Sequence, residues 1–154
     1  MLRALEDSST VMRWMTFGGE ATCRSYGLED RQLFHNPLAL QPMMQAALPE
    51  THRDHLNALP LYEQIGDYLF VHAGVRPDIA LPDQDPHDLI WIREEFLQHE
   101  GPLPFHVVHG HTPARQPERR RFRTNVDTGA VYGGALTAAV LEGGEIAFLS
   151  VPTV

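Results

Sequence analysis

Histidines lie at the ends of two short apolar segments of this sequence. His72 is the last residue of the run at residues 68–72, and His111 lies two residues beyond the run at residues 105–109. Compact apolar runs that end in a turn are typical of buried strands, whose carboxyl ends carry ligand sites in α/β proteins. Two neutral imidazoles from neighbouring strand ends are suitable ligands for Zn, Mn or Fe. The alternative is a histidine-rich turn that hydrogen-bonds only within its own loop.

Two further histidines, His106 and His109, belong to the second of these runs. A site that used every nearby histidine would be crowded. We therefore expect His106 and His109 to support the strand rather than to bind a metal.

Arg93 lies in a segment with helical spacing. Residues 85–98 begin with a capping aspartate followed by a proline, which predicts one helix through the segment. On such a helix Leu89, Arg93 and Phe96 share an apolar face. A guanidinium there is costly unless a carboxylate or a bound phosphate satisfies it. Arg93 is therefore either a phosphate-binding group or the partner of a neighbouring glutamate.

A glycine-rich loop at residues 125–134 contains Asp127, Thr128 and Tyr132. Such a loop can enclose a ligand, but an Asx turn that leads into the next strand has the same sequence. The structural interpretation is favoured for Asp127 and Thr128. Tyr132 could project into a pocket.

The predicted elements change type along the chain. Residues 1–65 are mainly helical by pattern, with helices within residues 1–7, 10–17, 20–26, 37–48 and 50–59. Pro42 should break the fourth of them. The remainder predicts one helix and five strands, within residues 68–72, 105–109, 122–127, 136–142 and 145–151. We predict a single α/β domain over residues 1–154. Helices that precede the first strand indicate that N-terminal strands are missing.

Composition excludes some classes of protein. The formal net charge of −8 argues against nucleic-acid binding, and no apolar run is long enough to span a membrane. The one basic run, at residues 119–123, is interpreted as a solvated loop that leads into a strand. A single cysteine fits a reducing compartment, so we expect a cytoplasmic protein.

Four segments, in this order, resemble the later motifs of the bacterial calcineurin-like metallophosphatases, which include serine/threonine phosphatases and diadenosine tetraphosphatases. They are FVHAG, LIWIRE, VHGHTP and NVDTGAVYGG, spread over residues 69–136. Each motif alone is weak, but the ordered set is specific. The resemblance implies the C-terminal portion of a four-layer α-β-β-α sandwich.

The resemblance also implies a chemistry. In this family two metal ions, commonly Mn or Fe with Zn, activate a water for attack on phosphorus, and arginines hold the phosphate oxygens. His72 and His111 match the two histidine ligands of one metal, and Arg93 matches a phosphate-binding arginine. Tyr132 matches a tyrosine beside the substrate pocket. We expect Mn as the divalent metal.

The earlier motifs of the family, GDxHG, GDxxDRG and GNH[DE], do not occur in these 154 residues. They supply the ligands of the first metal and the bridging aspartate. Two histidines alone form at most one partial metal site, so we expect weak metal binding and impaired hydrolysis. We expect either that the chain is truncated or that a partner chain supplies the rest, with an exposed sheet edge as the candidate surface for association.

The expected function is a metal-dependent phosphoester hydrolase of the serine/threonine protein phosphatase-like kind, acting on a phosphomonoester. A bis(5'-nucleosyl)-tetraphosphatase of the symmetrical type is the alternative, so the substrate is a phosphoprotein or a dinucleotide polyphosphate. A non-catalytic remnant that binds a phosphorylated ligand or a partner through Arg93 is the alternative from another class. A structural zinc site is disfavoured, because such sites prefer cysteines and the chain has only Cys23.

Overall fold

The computed structural model describes residues 1–31 and 33–153. It combines helices with a mixed β-sheet, so the predicted α/β class is confirmed. The chain divides into two compact units, Met1–Leu59 and Pro60–Val154. The single-domain organisation stays a prediction. Within the described ranges, every helix is too short or too polar to cross a bilayer.

The first unit is built from short helices around a core of its own. Its helices are α1 (Leu2–Glu6), α2 (Val11–Trp14), α3 (Glu20–Ser25), α4 (Pro37–Ala47) and α5 (Glu50–Ala58), joined in part by tight turns at Ser8–Thr10 and Leu33–His35 and a wide turn at Met15–Gly19. Leu5, Val11, Leu40 and Met44 are buried together with Cys23. Helices this short are marginal in isolation, so this packing stabilises them.

Helix α4 runs through Pro42 without a break, contrary to the expectation from the sequence. A proline removes the bond that its own amide would donate four residues back, here to the carbonyl of Leu38. Leu38 is exposed, so water can satisfy that carbonyl. The side chain of Asn36 accepts a hydrogen bond from Ala39 N and caps the start of α4.

The described part of the second unit, residues 60–153, contains two sheets and two helices. Its strands are β1 (Tyr62–Ile65), β2 (Tyr68–Val71), β3 (His106–His109), β4 (Glu118–Arg119), β5 (Arg123–Asn125), β6 (Ala135–Glu142) and β7 (Glu145–Pro152). The helices are α6 (Pro86–Trp91) and α7 (Glu94–Leu97), with short turns at Leu81–Asp83 and Ala130–Tyr132. The larger sheet has the order β1-β2-β3-β5-β4, and β6 forms a two-stranded sheet with β7.

Two strands of the larger sheet are absent from the sequence-based prediction. β1 is an edge strand that pairs antiparallel with β2, and three of its four residues are exposed. β4 is a two-residue edge strand. Neither strand shows the apolar alternation of a half-buried strand, so the sequence pattern could not identify them.

The three central strands, β2, β3 and β5, are parallel. Leu69 pairs with Val107, and Val107 pairs with Arg123 on its other side. Their carboxyl ends therefore meet at one edge of the sheet, which is where α/β proteins bind ligands. The core beneath this edge consists of buried strand residues packed with Leu89 and Phe96 of the helical segment.

The helix predicted for residues 85–98 is two short helices instead. α6 ends at Trp91, and α7 starts after Arg93, whose φ of −132° and ψ of −93° are not helical. The carbonyl of Leu89 accepts a hydrogen bond from Ala73 N at 3.0 Å, and an unbroken helix would give that carbonyl to the amide of Arg93. The shared apolar face predicted for Leu89 and Arg93 is therefore wrong.

The hairpin of β6 and β7 leaves apolar side chains in contact with water. Leu136 lies opposite Val151, and Ala138 lies opposite Leu149, so these residues share one face of the hairpin. Leu136, Leu149 and Val151 are each more than 60% exposed. Leu136, Leu149 and Val151 therefore form an exposed apolar surface on one face of the hairpin.

Candidate metal and phosphate site

His72 and His111 come together at the carboxyl edge of the larger sheet. The Nε2 atom of His72 lies 3.2 Å from the Nδ1 atom of His111, and the ring centroids are 5.0 Å apart. His72 directly follows β2, and His111 lies two residues beyond β3. The parallel pairing of β2 with β3 accounts for this convergence.

The backbone around the pair holds both loops in register. Gly110 N donates a hydrogen bond to the carbonyl oxygen of His72 at 2.9 Å. His111 has a φ of 67°, a left-handed backbone conformation that residues other than glycine adopt uncommonly. The Trp91 ring meets the His111 ring edge to face, with centroids 5.3 Å apart. These contacts fix where the second imidazole points.

The electrostatics keep both imidazoles neutral. Burial lowers the pKa of His72 from its ordinary value, and the charge of Asp127 opposes this only in part. Burial also lowers the pKa of His111, and the cationic Arg93 adds to the effect. A neutral imidazole has a free nitrogen lone pair, which is the form that binds a metal.

The pair fits the requirements of two ligands to one divalent ion. A metal bonded to each nitrogen at about 2.0–2.1 Å is compatible with nitrogens that lie roughly 3 Å apart. The described residues contain no group of three or more His, Cys, Asp or Glu side chains that could hold a metal. The two histidines therefore fit as part of a metal site, and the described residues do not complete it.

Arg93 lies beside this pair, but it lies between two short helices and not, as was predicted, on the apolar face of one long helix. It is exposed at the break between α6 and α7, and its Nη1 atom donates to Thr112 Oγ1 at 3.1 Å. Thr112 directly follows His111, so the guanidinium stands next to the histidines with N–H groups left for a ligand. The ion pairs among the described residues do not include Arg93, so this exposed arginine can bind a phosphate without a prior ion pair to break.

Asp127 and Asn125 shape the third loop at this edge. Asn125 Oδ1 accepts from Asp127 N at 2.9 Å, and Asp127 Oδ1 accepts from Gly129 N at 3.0 Å. Asn125 Nδ2 donates to the carbonyl of Thr112 at 2.8 Å. These are Asx turns, in agreement with the structural interpretation of Asp127. The carboxylate also raises the pKa of both His72 and His111 by its charge, so it is part of the site's electrostatics.

Tyr132 is placed differently from the other three predicted site residues. It ends the short turn Ala130–Tyr132 and is 81% exposed. In the part of the chain that the structure describes, its side chain has no hydrogen bond or ring contact with His72, His111 or Arg93. Its role beside a substrate stays a prediction.

The remaining histidines of β3 support the strand. His106 Nε2 lies 2.8 Å from Thr124 Oγ1, and its ring packs against Tyr68. His109 is 2% exposed and packs edge to face on Phe96. Burial lowers the pKa of His109 to about 4, so it is a neutral core residue.

Two residues that contact the site were not identified from the sequence. Trp91 packs on His111, and Thr112 accepts the hydrogen bond of Arg93. Both lie next to motif residues, within LIWIRE and VHGHTP. Their adjacency to Arg93 and His111 was the only available signal.

Known proteins resemble this chain over part of their length. No family model matches it. A protein of Geobacillus sp. strain WCH70, named bis(5'-nucleosyl)-tetraphosphatase PrpE with the qualifier asymmetrical, is 32% identical over an alignment of 137 residues. The alignment covers 75% of this chain and 53% of the relative. A protein of the same name from Bacillus thuringiensis strain Al Hakam is 47% identical over 111 residues, covering 61% of this chain and 44% of that relative. The chain spans about half the length of these curated relatives.

A solved structure agrees with these sequence matches. It is a crystal structure described as that of a candidate diadenosine tetraphosphatase, and it superposes with a TM-score of 0.60 and 27% identity. The match covers 76% of this chain and 61% of that one. These relationships confirm that the chain resembles the calcineurin-like metallophosphoesterases of the diadenosine tetraphosphatase kind, over the part of those proteins that it spans.

Proposed function

We propose that this chain contributes to the active site of a metal-dependent phosphoester hydrolase that acts on bis(5'-nucleosyl) tetraphosphates. The observation that carries the proposal is the 3.2 Å approach of His72 Nε2 to His111 Nδ1, with Arg93 held beside it by Thr112. Neutral histidines next to a positively charged arginine suit a site that binds both a metal and a phosphate.

In this proposal each residue has a defined task. His72 and His111 hold one divalent ion, for which Mn is the predicted identity. When bound, that ion supplies Lewis acidity, which lowers the pKa of a water and offsets the charge of a phosphate. Arg93 binds phosphate oxygens through its free N–H groups and orients the phosphorus. Trp91 restricts the rotation of the His111 ring.

The names of the relatives favour the dinucleotide as substrate. Both carry the qualifier asymmetrical, which supports cleavage of diadenosine tetraphosphate into ATP and AMP rather than into the two ADP of symmetrical cleavage. The serine/threonine phosphatase interpretation rests on the motif resemblance and remains the second candidate. Its substrate is a phosphoprotein.

Several finer expectations stay predictions. These are the four-layer sandwich with further N-terminal strands, association through a sheet edge, the cytoplasmic location inferred from the single cysteine, and impaired hydrolysis. The last follows from the motifs that these 154 residues lack, because two histidines and one arginine do not by themselves position a water and a phosphate. We expect slow turnover from this chain alone.

Product analysis tests the proposal. The purified chain is incubated with Mn and either diadenosine tetraphosphate or a phosphoserine peptide, and products are separated by chromatography. ATP with AMP supports the asymmetrical hydrolase, two ADP supports the symmetrical one, and phosphate release from the peptide alone supports the phosphatase. His72→Ala should lose the turnover, and the exposed His55→Ala should retain it. Absence of Mn-dependent turnover from a folded sample would contradict hydrolysis by this chain and favour a phosphate-binding role.

A further inference from the structure

The basic segment at residues 119–123 differs in part from the solvated loop expected of it. Arg120 and Arg121 are exposed, but Arg123 is only 8% exposed and begins β5. A buried guanidinium keeps its charge and needs acceptors for its five N–H groups.

The protein supplies only part of what Arg123 needs. Its Nη2 atom donates to the carbonyl of Leu97 at 3.0 Å. Its Nη1 atom is buried and has no hydrogen bond to any residue that the structure describes, since the contact with Glu118 Oε2 is 3.6 Å long. The Glu118 side chain is 40% exposed, so solvent screens this ion pair. Burial accordingly lowers the pKa of the Arg123 guanidinium, and Glu118 offsets this only in part.

Arg123 lines a cavity of about 330 Å³ at the end of α7. Arg120 and Arg121 line the same cavity, together with His99, Leu103 and Phe122. The His99 Nε2 atom is also buried, and no hydrogen bond reaches it from residues 1–31 or 33–153. A volume near 300 Å³ is at the lower end of the range for small-molecule sites.

The charges of the cavity favour an anion. Three arginines line it, with the carboxylate of Glu100 in its lining and that of Glu118 beside it, 3.9 Å from Arg120 Nε and 3.6 Å from Arg123 Nη1. The three cations therefore outnumber these two carboxylates, in a chain whose formal net charge is −8. A local cationic site in an acidic protein attracts small anions but not polyanionic surfaces. Arginine binds phosphate in bidentate geometry, and Leu103 and Phe122 provide apolar wall for an organic group.

We propose that this cavity is a second anion site, which binds the phosphoryl group of a small phosphate ester through Arg123, Arg120 and Arg121. It is separate from the candidate metal site. Arg123 begins β5, whereas Asp127 follows its other end, and four residues of extended chain span roughly 13 Å. The inference does not depend on the proposed hydrolase function.

Amide chemical shifts test this site in the intact chain. ¹⁵N spectra are recorded in EDTA, to remove any metal, during titration with ribose 5-phosphate and, separately, with inorganic phosphate. We expect saturable shifts at Gln98, Leu103 and Phe122. The double variant Arg120→Ala, Arg121→Ala should weaken binding at least tenfold. Arg13→Ala, which removes an exposed arginine of the helical unit, and Arg93→Ala should both leave it unchanged.

The outcomes separate the two anion sources and the two sites. Tighter binding of ribose 5-phosphate than of phosphate supports an ester site, and equal affinity overturns the role of the apolar wall. Shifts confined to residues 110–112, or equal affinity in the parent and the Arg120, Arg121 variant, would overturn the site itself. Arg123→Gln should also abolish binding. Because Arg123 is buried, the thermal unfolding of Arg123→Gln is measured first. If that variant does not fold, the double variant of the exposed Arg120 and Arg121 decides the question.

Discussion

The amide of Gly110 and the carbonyl oxygen of His72 form a 2.9 Å hydrogen bond that joins the loops after β2 and β3. The bond involves only backbone atoms. Either histidine side chain can therefore be removed while the two loops stay connected. This allows the imidazoles to be tested as ligands with limited risk to the fold.

His72→Ala and His111→Ala should each weaken Mn binding at least tenfold in calorimetry. Each variant removes one of the two nitrogens that approach to 3.2 Å, and a single imidazole is a poor site for a divalent ion. His55→Ala is the control, because His55 is exposed in the helical unit. Unchanged Mn affinity in both site variants would show that the pair is structural.

Arg93→Ala should weaken phosphate binding at the histidine edge by about tenfold, as expected for the loss of one charge-assisted contact. The amide shift of Thr112 during phosphate titration reports this site, since Arg93 Nη1 donates to Thr112 Oγ1. Mn affinity should stay within about twofold of the parent, because Arg93 is not a ligand. If the phosphate affinity read from the Thr112 amide shift is the same in Arg93→Ala and the parent, Arg93 does not bind the phosphate.

His109 should make the second unit less stable in mild acid. Its pKa is about 4 in the folded state and near 6.5 when unfolded, so between these values the unfolded chain binds a proton that the folded chain does not. Stability is therefore full above pH 6.5 and falls as the pH approaches 4, by about 3 kcal/mol. Urea unfolding in EDTA at several pH values measures this loss.

His109→Phe is the matching variant for that experiment, because it keeps a ring against Phe96 and cannot be protonated. It should flatten the pH dependence between 6.5 and 4. Some slope should remain, since burial also lowers the pKa of His106. If His109→Phe follows the parent at every pH, the folded and unfolded chains protonate His109 alike, and burial does not lower its pKa.

Gly74→Ala should destabilise the second unit by about 3 kcal/mol or more. Gly74 has a φ of 151°, and an added Cβ would overlap the Phe96 ring. Gly144→Ala is the control, since a Cβ there meets no atom within 4 Å, and it should change stability by less than about 0.5 kcal/mol. Similar unfolding midpoints for the two variants would mean that the Phe96 ring moves aside at little cost in stability.

The strand-end histidines were predictable because both signals are local. A compact apolar run predicts each strand, and the residues after it must lie at the carboxyl edge. Parallel pairing of β2 and β3 then brings His72 to His111. Sequence could not specify the 3.2 Å approach, which depends on the left-handed backbone of His111.

The surroundings of Arg93 were not predictable in the same way. Helical periodicity continues through residues 85–98, but the amide of Ala73 takes the carbonyl of Leu89 and the helix ends. That interaction joins residues 16 positions apart, so a local pattern carries no trace of it. The burial of Arg123 was not predictable for a related reason: the carbonyl that accepts its hydrogen bond belongs to Leu97, which is distant in the sequence.

The left-handed conformation of His111 sets stability against the proposed metal site at one position. Glycine and asparagine adopt a φ of 67° more easily than histidine does. A redesign that optimises folding alone would therefore replace His111 and lose an imidazole from the edge of the sheet. Stability-guided engineering of this chain should hold residue 111 fixed.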